Sequence, residues 1–347
     1  MRRGTGRRTF VASAGGLHMH DATLQAEVQD ALGAAYTLER ELPRGGMSRV
    51  FVATENALGR PVVIKVLSPE LAATLSSERF KREIMLAARL QHPHIVPLLA
   101  AGQAGAHLYY TMPLVDGESL RQRMSRERPM AIADIVRVVE EVARALSYAH
   151  EEGVAHRDIK PENVMFFHGQ AVVLDFGIGK ALERAAEGLG TATAAMRITT
   201  PGMSLGTPTY IAPEQAAGDD RLDHRADLYA IGVIAYEMLT GHPPFTGRTP
   251  QIVMEAHRTR APEPIGPRRP DAPAHLVRAV MLCLEKKPSD RPRTGDELVR
   301  LLHPNASSAR LSGARRALSQ VPFWVPWALA AVSLIAAIVL AVVLATR

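Results

Sequence analysis

Between Tyr36 and Val115 the apolar residues fall into short, β-branched runs, and from about residue 119 they recur at helical spacing. That change of pattern is the strongest constraint on the fold. "YTLEREL", "RVFVATE" and "RPVVIKVL" read as strands, with "NALG" as the turn between the last two. One helix interrupts them at "SSERFKREIMLAARL", with Ser76 or Ser77 at its start. Beyond them, "ADIVRVVEEVARALSYAHEEG", "RADLYAIGVIAYEMLTG", "PQIVMEAHRT", "PAHLVRAVMLCLEKK" and "TGDELVRLL" read as helices. The pattern predicts an α+β, bilobal chain with a small β-rich lobe over 34–115, a larger helical lobe over 116–303, and a cleft between them. No internal repeat is present.

Polar residues gather where such a cleft would lie. In "AHRDIKPENVMFF", Asp158, Lys160 and Asn163 offer a base, a cation and a metal ligand inside an otherwise apolar run. Lys65 sits in "VVIKVL", among apolar residues. An exposed edge-strand lysine is the plain reading, and a buried anion as its partner is the sharper one. Glu83 shares the helix face of Ala87 and Leu90 and supplies such a partner. A Lys65–Glu83 pair would fix the ammonium against nucleotide phosphates. In "AVVLDFGIGK", Asp175 ends an apolar strand just before a glycine. With Asn163 it provides oxygen ligands suited to Mg²⁺, which keeps waters and phosphates as its other ligands. Asp158 is then free to accept the proton of an attacking hydroxyl, and Lys160 to stabilise charge on a transferred phosphoryl group. "LPRGGMSRVFVA" reads as strand, glycine turn, strand, which lets backbone amides approach phosphates. The lone cysteine, Cys283, excludes an internal disulfide and any multi-cysteine metal site, and its apolar helical surroundings predict a buried thiol.

Taken in order, "GGMSRVF", "VVIK", Glu83, "HRDIKPEN", "DFG", "GTPTYIAPE" and "RADLYAIG" resemble the eukaryotic-type serine/threonine protein kinases, above all their bacterial membrane-anchored branch. The resemblance covers about residues 36–303. It implies the bilobal protein kinase fold, ATP and Mg²⁺ as cofactors, and serine or threonine acceptors on protein substrates. Lys65 and Glu83 would form the strand–helix ion pair, Asp158 would be the catalytic base assisted by Lys160, and Asn163 and Asp175 would hold the metal. Thr207 would touch Asp158 and Lys160 and shape the acceptor site. Glu214 would pair with Arg291, and Asp227 would brace the catalytic loop. Adenine would sit against "YYTMPLVDG", with Met112 as gatekeeper and Pro113 offering its carbonyl, a role that needs no N–H. Val115 N–H would make the other contact. Val50, Val63 and Met165 would sandwich the ring, buried in any case, and Leu42, Gly45 and Gly46 would complete the nucleotide site. Phosphate on Thr199 or Thr200 would pair with Arg157 and order the segment before "GTPTY". The family's glycine loop usually carries three glycines, whereas here Pro43 and Ser48 replace two of them. A scaffold that binds nucleotide without catalysis, and a small-molecule phosphotransferase, are the competing classes. The first usually lacks one of Lys65, Asp158, Asn163 or Asp175, and the second lacks a platform such as "GTPTYIAPE".

Both ends carry a different composition. Residues 1–33 read as a basic mobile arm with a short helix around "DATLQAEVQDAL". Residues 304–320 form a basic linker with Arg310, Arg315 and Arg316. No interleaved aromatics support nucleic acid as a partner for either end. Residues 321–345 contain no charged side chain, and a helix over 327–345 would span roughly 28 Å, close to a bilayer's hydrocarbon thickness. Trp324 and Trp327 stand at its edge, where amphipathic rings favour the interface. The expectation is one C-terminal transmembrane helix that anchors the chain, single-pass, in the inner membrane, with the kinase domain cytoplasmic. Confinement to a plane would favour encounters between two copies, hence a homodimer for autophosphorylation.

Overall fold

The computed structural model describes residues 25–42, 48–68, 72, 77–176, 208–219 and 223–304; among 77–83 the Phe80 side chain alone is described. Residues 1–299 form one compact unit, and residues 300–347 form a second. The candidate membrane helix at 321–345 and the linker before it lie outside the described residues. Among those described, no helix is long and apolar enough to cross a membrane.

The first lobe is a five-stranded antiparallel sheet in the order β1-β2-β3-β5-β4. Its strands are β1 (Tyr36–Glu41), β2 (Ser48–Glu55), β3 (Arg60–Leu67), β4 (Ala100–Ala104) and β5 (His107–Pro113). The β2–β3 turn closes at Gly59, whose φ of +63° suits glycine and whose N–H donates to Glu55 O at 2.8 Å. The continuous apolar run of β3 has a simple cause: both faces of the sheet are covered. Val63 and Leu67 pack under helix α2 (Ser77–Ala88) with Phe80, Ile84, Ala87, Leu108, Tyr110 and Met112. Val62, Ile64 and Val66 face the other way, onto Phe51, Ala53 and a helix over 25–32, here α1.

Over residues 25–32 that second cover puts the expected short helix in the lobe's core and not on an arm; residues 1–24 lie outside the described residues. Val28 is 1% exposed and Leu32 7%, so α1 belongs to the lobe's core. Gln29 completes the attachment. Its amide donates to Tyr36 O at 2.9 Å and accepts from Leu38 N at 2.7 Å, pairing with the outer edge of β1 as another strand would.

The second lobe is built around α6 (Arg225–Thr240), buried on every side from Ala226 to Leu239. Against it pack α4 (Ile132–Glu151), through a stripe including Ile135, Val138, Val142 and Leu146, and α8 (Ala274–Cys283). A Cβ on Gly232 would stand 2.5 Å from that of Cys283, so this glycine is what lets α6 and α8 approach. Cys283 is buried as expected, and burial pushes its thiol up to about 12. Helices α3 (Leu120–Arg126), α5 (Pro213–Ala216), α7 (Pro250–Thr259) and α9 (Gly295–Leu302) complete the described helices of this lobe. A capping box between Ser119 and Gln122 starts α3. The hairpin of β6 (Val164–Phe167) and β7 (Gln170–Val173) lies between α4 and α5 in the chain. β7 also joins the lobes, because Val173 N donates to His94 O at 2.9 Å and Val96 N to Val173 O at 3.0 Å.

If α1 is structural, Leu32→Ala should lower stability in urea by about 2–3 kcal/mol, as a truncated core side chain does. An unchanged unfolding midpoint would show that the helix is dispensable.

Candidate active site

The loop after α4 carries the charged run, and α6 holds it from below. Asp227, 1% exposed, accepts from His156 N at 2.8 Å and from Arg157 N at 2.6 Å, and its Oδ2 lies 2.8 Å from His150 Nε2. Its pKa reflects a contest. Burial alone would raise it, but the hydrogen bond and charge of His150, with His156, hold it below the ordinary carboxyl value. The His156 ring is itself buried, with Nε2 at 2.8 Å from Leu174 O and its edge on Phe176. Arg157 adopts a φ of +65°, a left-handed conformation that only these surrounding contacts sustain in a non-glycine residue.

This bracing presents Asp158 to the cleft, its side chain 45% exposed. Lys160 Nζ stands 2.6 Å from Asp158 Oδ2. Asn163 Nδ2 donates to Asp158 O at 2.8 Å and approaches Oδ2 at 3.2 Å, which turns the amide oxygen of Asn163 away from the loop. Leu174 N donates to Asn163 O at 2.9 Å and so sets Asp175 next to Asn163. The expected base, cation and metal ligands are therefore brought together by the Lys160–Asp158 ion pair, the Asn163 amide on Asp158 and the backbone bond from Leu174 to Asn163. The two oxygen donors fit Mg²⁺, which takes few protein ligands and completes its shell from water and phosphate.

Lys65 meets an anion, as its apolar strand predicts, and the described one is Asp175. The pair bridges the two lobes. The Glu83 side chain lies outside the described residues, as do Gly45, Gly46, Pro43 and Thr207. Tyr110, buried on β5, donates its hydroxyl to Asp175 Oδ1 at 3.3 Å, and burial followed by the Asp175 charge pushes that phenol well up. Sequence reasoning missed Tyr110. Its only signal is its place two residues before Met112 on an inward-facing strand position. Asp175, like Arg157, is left-handed, with φ at +59°.

The residues expected to hold the nucleotide lie on β2, β3, β5, β6 and the segments beside them. Val63 pairs with Met112 across β3 and β5, and Val50 packs against that cluster. Leu42 N donates to Val50 O at 2.8 Å, which closes the β1–β2 hairpin just before its turn. Pro113 ends β5 and Val115 follows it half-buried, while Met165 lies on β6, bridged to Ser119. Val63 and Met112 are buried, but Val50 and Met165 are only half so, a correction to the expectation that all three ring-sandwiching residues are core. Gly117 is required here, since a Cβ would fall 1.9 Å from Phe166 O.

Below the cleft, Arg291 satisfies all its donors. It makes two 2.7 Å bonds to Glu214 and others to the carbonyls of Glu285, Lys286 and Arg225, over the face of Tyr229. The expected Glu214–Arg291 pair is thus formed. It fixes α5, whose Gln215 donates to Arg157 O at 3.0 Å and returns the chain to the catalytic loop.

Comparison with known proteins agrees with this geometry. The family profile described as "Protein kinase domain" matches residues 36–301. The serine/threonine-protein kinase Pkn3 of Myxococcus xanthus is 42% identical over 275 residues, 75% of this chain and 48% of that one. PknB of Mycobacterium tuberculosis, also named a serine/threonine-protein kinase, is 39% identical over 273 residues, 77% of this chain and 42% of its own. This chain spans about half the length, or less, of these curated relatives. Among solved structures, Rad53 residues 1–466 with AMP-PNP aligns with a TM-score of 0.63 at 21% identity, over 78% of this chain and 65% of that one; it supports the fold.

Asp227→Asn would face one donated backbone N–H with an amide N–H, so it should cost about 3 kcal/mol in urea and most of the activity. A carboxyl whose folded pKa is lowered stabilises above its unfolded value of about 3.9 and stops doing so as pH falls through the folded one. The gap between wild type and Asp227→Asn should therefore narrow below about pH 4. A gap independent of pH would show that the charge of Asp227 is not what matters.

Proposed function

We propose that this chain, which belongs to the protein kinase family, transfers the γ-phosphoryl group of ATP to serine or threonine hydroxyls of protein substrates. The observation that carries this reading is the exposed Asp158 carboxylate, held by Lys160 and Asn163 beside Asp175. Asp158 accepts the proton as the acceptor oxygen bonds to phosphorus and the bond to the ADP oxygen breaks. Lys160, already on Asp158, meets the charge that develops on the transferred group. Lys65 orients the phosphates from the β-rich lobe. Asn163 and Asp175 would hold Mg²⁺, which would supply charge neutralisation for the phosphates. The serine/threonine acceptor class follows from Lys160, two residues after the base, and from the names of the relatives.

The same reading extends to regulation and location. Thr199 and Thr200, outside the described residues, are the expected autophosphorylation sites, reached between two copies. The uncharged run 321–345, with tryptophans at its edge and arginines before it, is read as a membrane anchor that keeps the catalytic domain on the cytoplasmic side.

With Mg²⁺ and ATP, the full chain should phosphorylate itself and a generic basic protein on serine or threonine. Mass spectrometry should find phosphate on Thr199 or Thr200. Asp158→Asn and Lys65→Met should each reduce transfer at least about a hundredfold. A wild type that binds ATP tightly yet transfers nothing would favour the scaffold class. For the anchor, a tagged full-length chain should sediment with membranes and resist carbonate, whereas residues 1–320 should not. Full-length protein in the soluble fraction would end the anchor reading.

A further inference from the structure

Lys65 and Tyr110 stand directly opposite each other in the β3–β5 register, so their side chains leave the same face of the sheet. They converge on one carboxylate. Lys65 pairs with Asp175 Oδ2, and the Tyr110 hydroxyl donates to Asp175 Oδ1 at 3.3 Å. The two oxygens are thus engaged separately, one by a charge and the other by a hydroxyl.

Packing alone does not account for that hydroxyl. Tyr110 is 4% exposed, and its ring belongs to a cluster with Val63, Leu67, Phe80, Ile84 and Leu108. Phenylalanine would fill the same place, whereas a buried hydroxyl left unbonded costs about 1–3 kcal/mol. Among the described residues, Asp175 is its only hydrogen-bond partner. At 3.3 Å the bond is long for two oxygens, so it returns little of that cost as stability. What it supplies is direction.

Asp175 needs direction from outside itself. Its φ of +59° is sustained by surrounding contacts, and its side chain is 17% exposed. A divalent cation competes with the Lys65 ammonium for Oδ2, charge against charge. It does not compete with a hydroxyl on Oδ1. A carboxylate hydrogen-bonded through one oxygen keeps its orientation when the other takes a metal.

We propose that Tyr110 is a positioning residue for the metal: its hydroxyl holds Asp175 Oδ1, so that the carboxylate is presented to Mg²⁺ in one orientation. Mg²⁺ makes the strictest use of such support, because it demands near-octahedral geometry where Ca²⁺ accepts irregular shells. This inference rests on the phosphotransfer reading above, in which Asp175 holds the metal.

The test measures ADP binding to the full chain by calorimetry, without divalent ions, with Mg²⁺ and with Ca²⁺. Wild type should bind ADP more tightly with either ion. Tyr110→Phe removes one oxygen and keeps the ring. It should leave the metal-free affinity within about twofold of wild type and lower the gain from Mg²⁺ by about tenfold. The loss should be smaller with Ca²⁺. Leu108→Ala truncates the same cluster, so it should lower the urea midpoint while leaving the gain from Mg²⁺ intact. Should Tyr110→Phe fail to fold, Tyr110→Met fills the position without a hydroxyl and should show the same selective loss. An unchanged gain from Mg²⁺ in whichever variant folds overturns the proposal and leaves the kinase reading intact. So does an equal loss in Leu108→Ala, or an equal loss with Ca²⁺. A wild type whose affinity for ADP no divalent ion improves overturns both.

Discussion

The catalytic loop depends on one buried carboxylate. Asp227 comes from the helix that forms the centre of the larger lobe, and it takes the backbone N–H groups of His156 and Arg157 together. Those donors belong to no helix or sheet, and leaving them unpaired in the interior would cost about 1–3 kcal/mol each. His150 approaches the same carboxylate from α4, so both helices that flank the loop converge on it. Asp158 is thus positioned by the lobe's core and not by the loop's own sequence. An exposed, chemically useful residue stands on an otherwise inaccessible support.

The second junction joins the lobes. Lys65 comes from β3 and Asp175 from the end of β7, separated by 110 residues in the chain. β3 is covered on both faces, and the Lys65–Asp175 ion pair is formed where desolvation makes it consequential. Tyr110 adds a neutral donor to Asp175 from β5. Asp175 is thus engaged by the β-rich lobe and held next to Asn163 by Leu174, so its position depends on both lobes.

Much of this arrangement is legible in the sequence, for identifiable reasons. Strands and long helices follow from periodicity, since burial of one face or of both dictates the spacing of apolar residues. The catalytic-loop residues are legible because their chemistry is local: Asp158, Lys160 and Asn163 lie within one short stretch. What stays hidden is long-range. Tyr110 reaches Asp175 over 65 residues and Arg121 reaches Glu237 over 116, and no local pattern announces either. Helix α1 is read as part of an arm because a short amphipathic stretch has no visible partner until the sheet's second face is assembled. Val50 and Met165 err in the opposite sense, because apolar character alone does not distinguish a core from the wall of an open cleft.

The two left-handed residues at the site show why local sequence and local structure part company there. Arg157 and Asp175 would each be relieved by glycine, yet each carries a side chain, at a cost on the order of 1–3 kcal/mol. Neither conformation is set by its own neighbours in the chain. Arg157 is held through Asp227 and Gln215, and Asp175 through Lys65, Tyr110 and the bond from Leu174 to Asn163. Strain of this kind persists only where tertiary contacts exceed it, so the geometry of the site cannot form before the elements that supply those contacts have packed. For Asp158 this means after α4 and α6 meet, and for Asp175 after the β-rich lobe has docked. The described contacts that hold Asp158 in place thus come from the larger lobe, whereas those that hold Asp175 come from both lobes.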